Sequence, residues 1–383
     1  MIVRLLKKLW IICFTNNPYR IKSFSDIYRP KTGEAIDCPE SLSCILLDEA
    51  GQPTTYNLPL VTYNQTIPQQ TIDKQPRFKL NGVYKEPQRC LYSISKGTVW
   101  SAIGLVYDSD KRSFIDESAK EWTINLNNSS LVNVVHLPPK TYLEGTTLSC
   151  LTNGADGGFY HFLFESIIKI HFAQPVIDHV DHILFNGPET EWKLKWIKKA
   201  NIAPSKIIWT DNLAHYECEQ LLFTNRLVND QQISPWCVSA LKSLFNIQPA
   251  AQKNPNKVIW ITRKSASSRN INWEDRLLKH FPLIETVDLS ALEAIETIEK
   301  MRSATHIIGP HGAGLSNIYL CNKGTRVLEL YPADAVFKPC FHRLSSVCHL
   351  KHHVAWVNFK HETDTEQGLV FLKTLLTHFV CQN

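Results

Sequence analysis

The sequence predicts an α/β protein with parallel sheets, and three observations carry that expectation. From Gly154 onward, strand-like apolar runs alternate with helical patterns. A polar, proline-bearing stretch at Gln248–Lys257 divides the alternation into two runs. Within the second run an apolar strand ends in the glycine-rich turn GPHGAG, residues 309–314.

The chain opens MIVRLLKKLWIICFTNNP. As a short helix this places Ile2, Leu5, Leu6, Leu9 and Cys13 on one side and Arg4, Lys7 and Lys8 on the other, a pattern that could lie on an anionic membrane surface. Its apolar run, Leu9 to Phe14, is six residues long and no small-residue cleavage site follows, which suits neither a membrane span nor a signal peptide. The text up to residue 150 reads as short strands and turns, with apolar runs at Ser43–Leu47, Thr98–Tyr107 and Val132–Leu137 and no phosphate loop.

In GADGGFYHFLFESIIKIHFAQ, Phe159, Phe162, Leu163, Ile167 and Ile170 recur at helical spacing. Strand-like His182–Phe185, a helix over Glu189–Ala200, strands at Lys206–Trp209 and Gln220–Thr224, and a helix near Trp236–Phe245 complete the first run. The second run begins with the KVIWIT strand at Lys257–Thr262, a helix at Trp273–Phe281 and a strand at Ile284–Leu289. Ser290 is expected to open a helix with Glu293 completing a capping box. Thr305–Gly309 is a strand, Leu315–Cys321 a short helix, Arg326–Leu330 a strand, Val336–Leu350 a helix, Val354–Val357 a strand and Thr365–Phe379 the final helix. Strands and helices alternating in this order predict a doubly wound sheet.

Composition bounds the function. The chain has 383 residues with 41 Lys plus Arg against 36 Asp plus Glu, and a net charge of +5 is too dilute for a generic nucleic-acid binder. A hydrophobic content of 44% fits a folded, soluble protein rather than a disordered chain or a membrane bundle. With no secretion signal, the 11 cysteines read as reduced, buried small hydrophobes of a cytoplasmic protein, and no CxxC pair suggests a zinc ribbon. HLKHHV and DHVDH gather histidines, but nothing fixes a converging geometry, so no metal is expected.

The candidate chemistry lies in three places. Strand, glycine turn and helix start at Ile307–Asn317 make a potential anion cradle of Gly312, Ala313, Gly314 and Asn317, with His311 able to donate to a phosphate oxygen. It matches neither a Walker loop nor the dinucleotide fingerprint. Glu329, at the end of the next strand, could accept from ribose hydroxyls, and Arg263 and Arg269 follow the KVIWIT strand at the same sheet edge, where two guanidiniums could clamp a diphosphate. His161 and Glu165 are one helical turn apart beside bulky apolar residues, and burial makes a carboxylate a better base.

Three motifs together resemble glycosyltransferase family 61, the capsular polysaccharide biosynthesis type: YHFLFE at Tyr160–Glu165, TRK…RNI at Thr262–Ile271, and GPHGAGLSN…GTRVLELYP at Gly309–Pro332. The resemblance spans about Gly145 to Val357 and departs from the family pattern at Glu165, often aspartate, and at Gly314 and Ser316, often a small residue or threonine. It implies a GT-B-like α/β fold with two Rossmann-like lobes facing a cleft and a β-rich N-terminal portion. The expected divisions are 1–150, strand-rich; 151–250, the acceptor-side lobe; and 251–383, the nucleotide-sugar-binding lobe. It further implies an inverting transferase that moves a sugar from a nucleotide sugar to a hydroxyl of a glycan or lipid-linked glycan, with no cofactor beyond that co-substrate and no metal. Arg263, Arg269, His311, Gly312, Ala313, Gly314, Asn317 and Glu329 become donor-binding candidates, and His161 and Glu165 catalytic ones. The expected location is the cytoplasm, peripheral to the inner face of the membrane. A non-catalytic nucleotide-binding module of a polysaccharide assembly system stays open as the alternative; a phosphotransferase is disfavoured by the missing P-loop lysine.

Overall fold

The computed structural model describes residues 20–22, 42–48, 53–56, 60–64, 82–108, 113–115, 118, 138–228, 232–248, 257–266 and 268–381. The N-terminal amphipathic pattern, the Val132–Leu137 run and most of the Gln248–Lys257 stretch lie outside them. The protein is a mixed α/β chain that divides into two compact units, Met1–Gly51 with Glu86–Asn229 and Gln52–Lys85 with Asp230–Asn383. Strands from the first 115 residues are shared between the two: Val61–Tyr63 joins the sheet of the second unit, while Arg89–Ser95, Thr98–Trp100, Leu105–Asp108 and Ser113–Ile115 join that of the first.

The first unit is built on a mixed sheet. Thr141–Ser149 runs parallel to both its neighbours, His182–Asn186 and His215–Thr224, and Ile207–Thr210 extends the parallel part. Beyond His215–Thr224 the pairing turns antiparallel, to Arg89–Ser95 and Thr98–Trp100. The alternation of strand and helix thus predicts only the parallel part; the expected Thr98–Tyr107 run is a tight hairpin, Thr98–Trp100 against Leu105–Asp108. Hairpin strands need no crossover helix and can pair only antiparallel. Ile94, Val99, Val106, Ile115, Leu184, Leu221 and Phe223 form the core against it.

The second unit carries a wholly parallel sheet in the order Glu285–Val287, Val258–Ile261, His306–Pro310, Arg326–Pro332, Lys351–Val357, Val61–Tyr63. Numbered along the chain from Val258, its five C-terminal strands run 2-1-3-4-5, the doubly wound order expected. In such a sheet the strand order reverses between the first and third strands, and loops leaving their carboxyl ends diverge to opposite faces and leave a crevice. Here those loops are residues 262–269 and 311–314, the two segments in which the sequence places its arginines and its glycine turn. Trp260, Trp273, Ile308, Leu328, Leu330 and Phe379 fill the core on one face, and the last helix, Glu366–Cys381, covers it with Leu372, Leu375, Leu376 and Phe379.

Several boundaries differ from expectation for local reasons. Ser290 opens no helix, because its amide and hydroxyl are both bonded to Asp288 Oδ1, at 2.9 and 2.6 Å. Glu293 is instead the N-cap of Ala294–Ser303, with Glu296 closing the capping box. The helix expected at Val336 begins at Cys340, after Tyr331 Oη has taken the Lys338 amide and donated to the Val336 carbonyl. Leu315–Cys321 is a 3₁₀ helix that starts earlier, at Ala313. Every cysteine whose side chain is described is free, and six of the eight are buried. Among the described residues, no helix is long and apolar enough to cross a membrane.

Candidate active site

The 306–310 strand delivers His311 to the switch point of the second unit, where the His311 amide continues the sheet by donating to the Leu330 carbonyl at 2.7 Å. The turn then tightens: Gly312 O accepts from the Leu315 amide at 2.9 Å and Ala313 begins the 3₁₀ helix. The leading amides of such a helix have no carbonyl of their own helix to bond, so they point outward as donors. Asn317, almost fully buried, donates to the Gly314 carbonyl at 3.0 Å. That bond braces the turn from within.

From the other side of the switch point comes Arg263. Its guanidinium lies against Gly312, where a β-carbon would sit 3.0 Å from Cζ, and it donates to the Ser268 carbonyl through Nε and Nη2 at 3.3 and 3.2 Å. Burial, and then the like charge of Arg269, lower the Arg263 pKa from its ordinary value. Arg269 itself is exposed, with a left-handed backbone (φ 57°), a conformation a non-glycine residue holds at a cost of order 1–3 kcal/mol. Among the described residues neither arginine has a carboxylate within ion-pair distance. Two cations drawn together beside outward-facing amides have the electrostatics of a polyphosphate site.

His311 Nδ1 is bonded to Glu329 Oε1, and Glu329 Oε2 accepts from His352 Nε2 at 3.0 Å. Burial alone would raise the Glu329 carboxyl, but the charge of His311 and the hydrogen bonds of both histidines hold it well below the usual carboxylate range. The expectation that Glu329 accepts from ribose is therefore corrected: it is fully buried and both its oxygens are engaged. What it does is fix His311, whose ring also packs on Tyr331 (4.4 Å between centroids) and Phe341 (5.4 Å).

In the first unit, His161 and Glu165 lie at the start of the helical segment 159–172, where the chain winds as a π-helix over Phe162–Ile167. His161 Nδ1 and Glu165 Oε2 are 3.2 Å apart, and both side chains are largely buried. Neighbouring side chains anchor the segment to the end of the 141–149 strand. Ser166 Oγ donates to the Cys150 carbonyl and Lys169 Nζ to the Leu151 carbonyl, each at 2.6 Å. The preceding glycine-rich loop is pinned by the buried Lys193 ammonium, which donates to the carbonyls of Asp156, Asn186 and Pro188 at 2.7–2.9 Å.

Glu165 lines a narrow pocket with Lys169, Asn225, Arg226, Thr152 and Asn153. Burial brings the Lys169 ammonium down to about 8, Cys150 and Glu165 opposing that shift and Arg226 adding to it. Sequence reasoning missed Lys169, although it stands four residues after Glu165 and eight after His161; Arg226 and Asn225 had no signal beyond following a strand. The histidine-rich segments do not converge: His352 serves Glu329, His353 Nδ1 meets Tyr63 Oη at 3.2 Å, and Asp181 accepts the Thr146 amide. Among the described residues, no group of three or more His, Cys, Asp or Glu is placed to hold a metal ion.

Residues 159–328 match the family model described as Glycosyltransferase 61. That segment is similar to glycosyltransferase family 61. That span runs from the first residue of the His161–Glu165 helix through both arginines and the glycine turn. It stops one residue short of Glu329. No curated protein matches the chain. The similarity points to sugar transfer as the chemistry to test against this geometry.

Proposed function

We propose that this protein is a glycosyltransferase of family 61, a GT-B-like enzyme that transfers a sugar, with inversion, from a nucleotide sugar to a hydroxyl of a glycan or lipid-linked glycan in polysaccharide (capsule) biosynthesis. The observation that carries the reading is the convergence of Arg263, Arg269, His311 and the Gly312–Gly314 turn at the switch point of a 2-1-3-4-5 sheet. Donor diphosphate rests on the outward amides of the turn, and the two guanidiniums stabilise the negative charge that grows on the leaving phosphate. These fixed cations supply the charge stabilisation that a divalent ion supplies in metal-dependent transferases. Glu165, oriented by His161, removes the proton from the acceptor hydroxyl as it attacks an oxocarbenium-like carbon. In this reading the second unit binds the donor, the first carries the base, and the enzyme works in the cytoplasm on a membrane-attached acceptor.

The test is a thermal-shift titration of the purified protein with UDP, GDP, CMP and ADP, each with and without EDTA. Saturable stabilisation by one nucleotide, unchanged by EDTA and lost in Arg263→Ala, is the expected result; at a hundredfold excess over Kd it amounts to about 2.7 kcal/mol. No shift with any of the four overturns the donor assignment, and a shift that EDTA abolishes overturns its metal-free form.

A further inference from the structure

The first unit has a switch point of its own. Along its sheet the four parallel strands stand in the order Ile207–Thr210, His182–Asn186, Thr141–Ser149, His215–Thr224, so the chain order reverses between the last two. Ser149 and Phe223 are register partners at the carboxyl ends of that pair. The segments leaving those ends, 151–153 and 225–228, line the pocket that holds Glu165. The carboxyl side of such a reversal is where open α/β sheets bind their ligands.

Two buried side chains of this pocket are incompletely bonded. Lys169 is 6% exposed and Glu165 7%. An ammonium has three N–H donors, and the buried Lys193 spends all three on backbone carbonyls. Among the described residues Lys169 has one hydrogen bond, to the Leu151 carbonyl at 2.6 Å, and no carboxylate within ion-pair distance. Glu165 Oε2 is buried and meets only His161 Nδ1, at 3.2 Å, among the described residues. A glutamate and a lysine four residues apart on a regular α-helix face each other and pair. Here the π-helical winding over Phe162–Ile167 changes that register, and both side chains line the pocket without pairing. A group seated there meets one acceptor and a set of N–H donors. A hydroxyl suits both, whereas an anion offers Glu165 no proton and an ammonium offers Lys169 no lone pair. Ile103, Leu151 and Leu227 add an apolar wall for the C–H face of a sugar ring.

We propose that Lys169 is the second contact to the acceptor: the pocket seats one hydroxyl of an uncharged sugar, which donates to Glu165 Oε2 and accepts from Lys169 Nζ. The inference rests on the acceptor-side role given above to the first unit and names the residue that completes it. In transfer the hydroxyl proton passes to Glu165 while an electron pair of the oxygen forms the new bond to the anomeric carbon. The pair of the broken bond leaves with the nucleoside diphosphate. The Lys169 ammonium meets the negative charge that gathers on the attacking oxygen as its proton departs.

The experiment is saturation-transfer NMR of the full chain with the methyl glycosides of glucose, galactose, mannose, xylose and N-acetylglucosamine, followed by titration of the one that binds and of its monodeoxy forms. Expected is one hydroxyl whose removal weakens binding roughly tenfold or more, as loss of a charge-assisted hydrogen bond does. In Lys169→Met the parent glycoside is expected to bind about tenfold more weakly, and removing the same hydroxyl then costs less than about twofold. A lysine that only braced the Leu151 carbonyl would leave the two losses multiplying. Asn153→Trp, on the half-buried rim, is expected to fill the pocket and abolish binding, and it decides the matter if Lys169→Met does not fold. Equal binding in wild type and Asn153→Trp, multiplying losses in Lys169→Met, or no binding by any of the five glycosides overturns the proposal. UDP, GDP, CMP and ADP report on the second unit separately. A nucleotide that stabilises the protein leaves the donor reading standing whatever the glycosides do, and failure of all four overturns that reading and not the pocket.

Discussion

Gly312 matters for the space its missing side chain leaves. A β-carbon there would lie 3.0 Å from Arg263 Cζ, and since a guanidinium is the mobile end of a long side chain, the arginine would move rather than the backbone. Gly312→Ala is therefore expected to weaken nucleotide binding roughly tenfold, the loss of one charge-assisted contact, and to lower the melting temperature as well, because Gly312 holds φ 158°, where a side chain is strained. A Kd within twofold of wild type would disconnect the arginine from the ligand. At Glu165 the outcome has the opposite signature: Glu165→Gln keeps the shape and removes the base, so turnover is expected to fall about 10²–10⁴-fold with donor affinity nearly unchanged. Comparable loss of donor binding would remove Glu165 from the role of base. The sequence showed which residue types sit near the turn but not their partners. Glu329 read as a strand-end acid facing ligand, and only the register of Arg326–Pro332 against Lys351–Val357 brings His352 across to occupy it.

At the scale of elements, local chemistry and long-range pairing decided different things. KVIWIT and IIGP carry the continuous apolar runs that a strand buried on both faces requires, RVLELYP is apolar but for Arg326 and Glu329, and all three became central strands. The Thr141–Ser149 strand was not legible. Its first half is exposed, Glu144 and Gly145 interrupt it, and its register slips between Leu143 and Thr146. Gly145 bends there with φ 75°, close to the Asp181 carboxylate that takes the Thr146 amide. The helix over Ala294–Ser303 shows how a cap competes: Ser290 was drawn into the Asp288 turn, and Glu293 became the cap. Glu293→Ala is expected to cost about 1 kcal/mol, visible as a drop of a few degrees in melting temperature. No change would mean that packing alone holds the helix start.

Across the whole molecule, buried titrating groups set the response to acid. His353 is pushed down to about 3 by burial, with Arg326 and His352 adding to the effect, and Glu329 is held below the usual carboxylate range by its histidines. Both folded-state values are depressed, so the unfolded chain binds more protons. Stability is therefore full above the unfolded histidine value near 6.5 and is lost as pH falls toward the folded values, first through His353 and then, below about pH 4.3, through Glu329. At pH 4 the His353 contribution alone is on the order of 2–3 kcal/mol. The melting temperature is expected to be flat from pH 8 to 7 and to fall steadily below 6.5, less steeply in His353→Gln. A profile unchanged down to pH 4 would show that His353 is not held neutral.

The sequence by itself determined the doubly wound C-terminal sheet, the glycine turn at its carboxyl edge, the two arginines of the neighbouring loop and the family-like motifs, because each is written in short-range order: period, turn residue, motif. Tertiary structure alone decided that N-terminal strands complete both sheets, that Lys169 and Arg226 share a pocket with Glu165, and that Glu329 is buried with its oxygens bonded to His311 and His352. Those outcomes depend on strand register and crossover between residues far apart in the chain, and a one-residue slip in register exchanges the buried face of a strand for the exposed one.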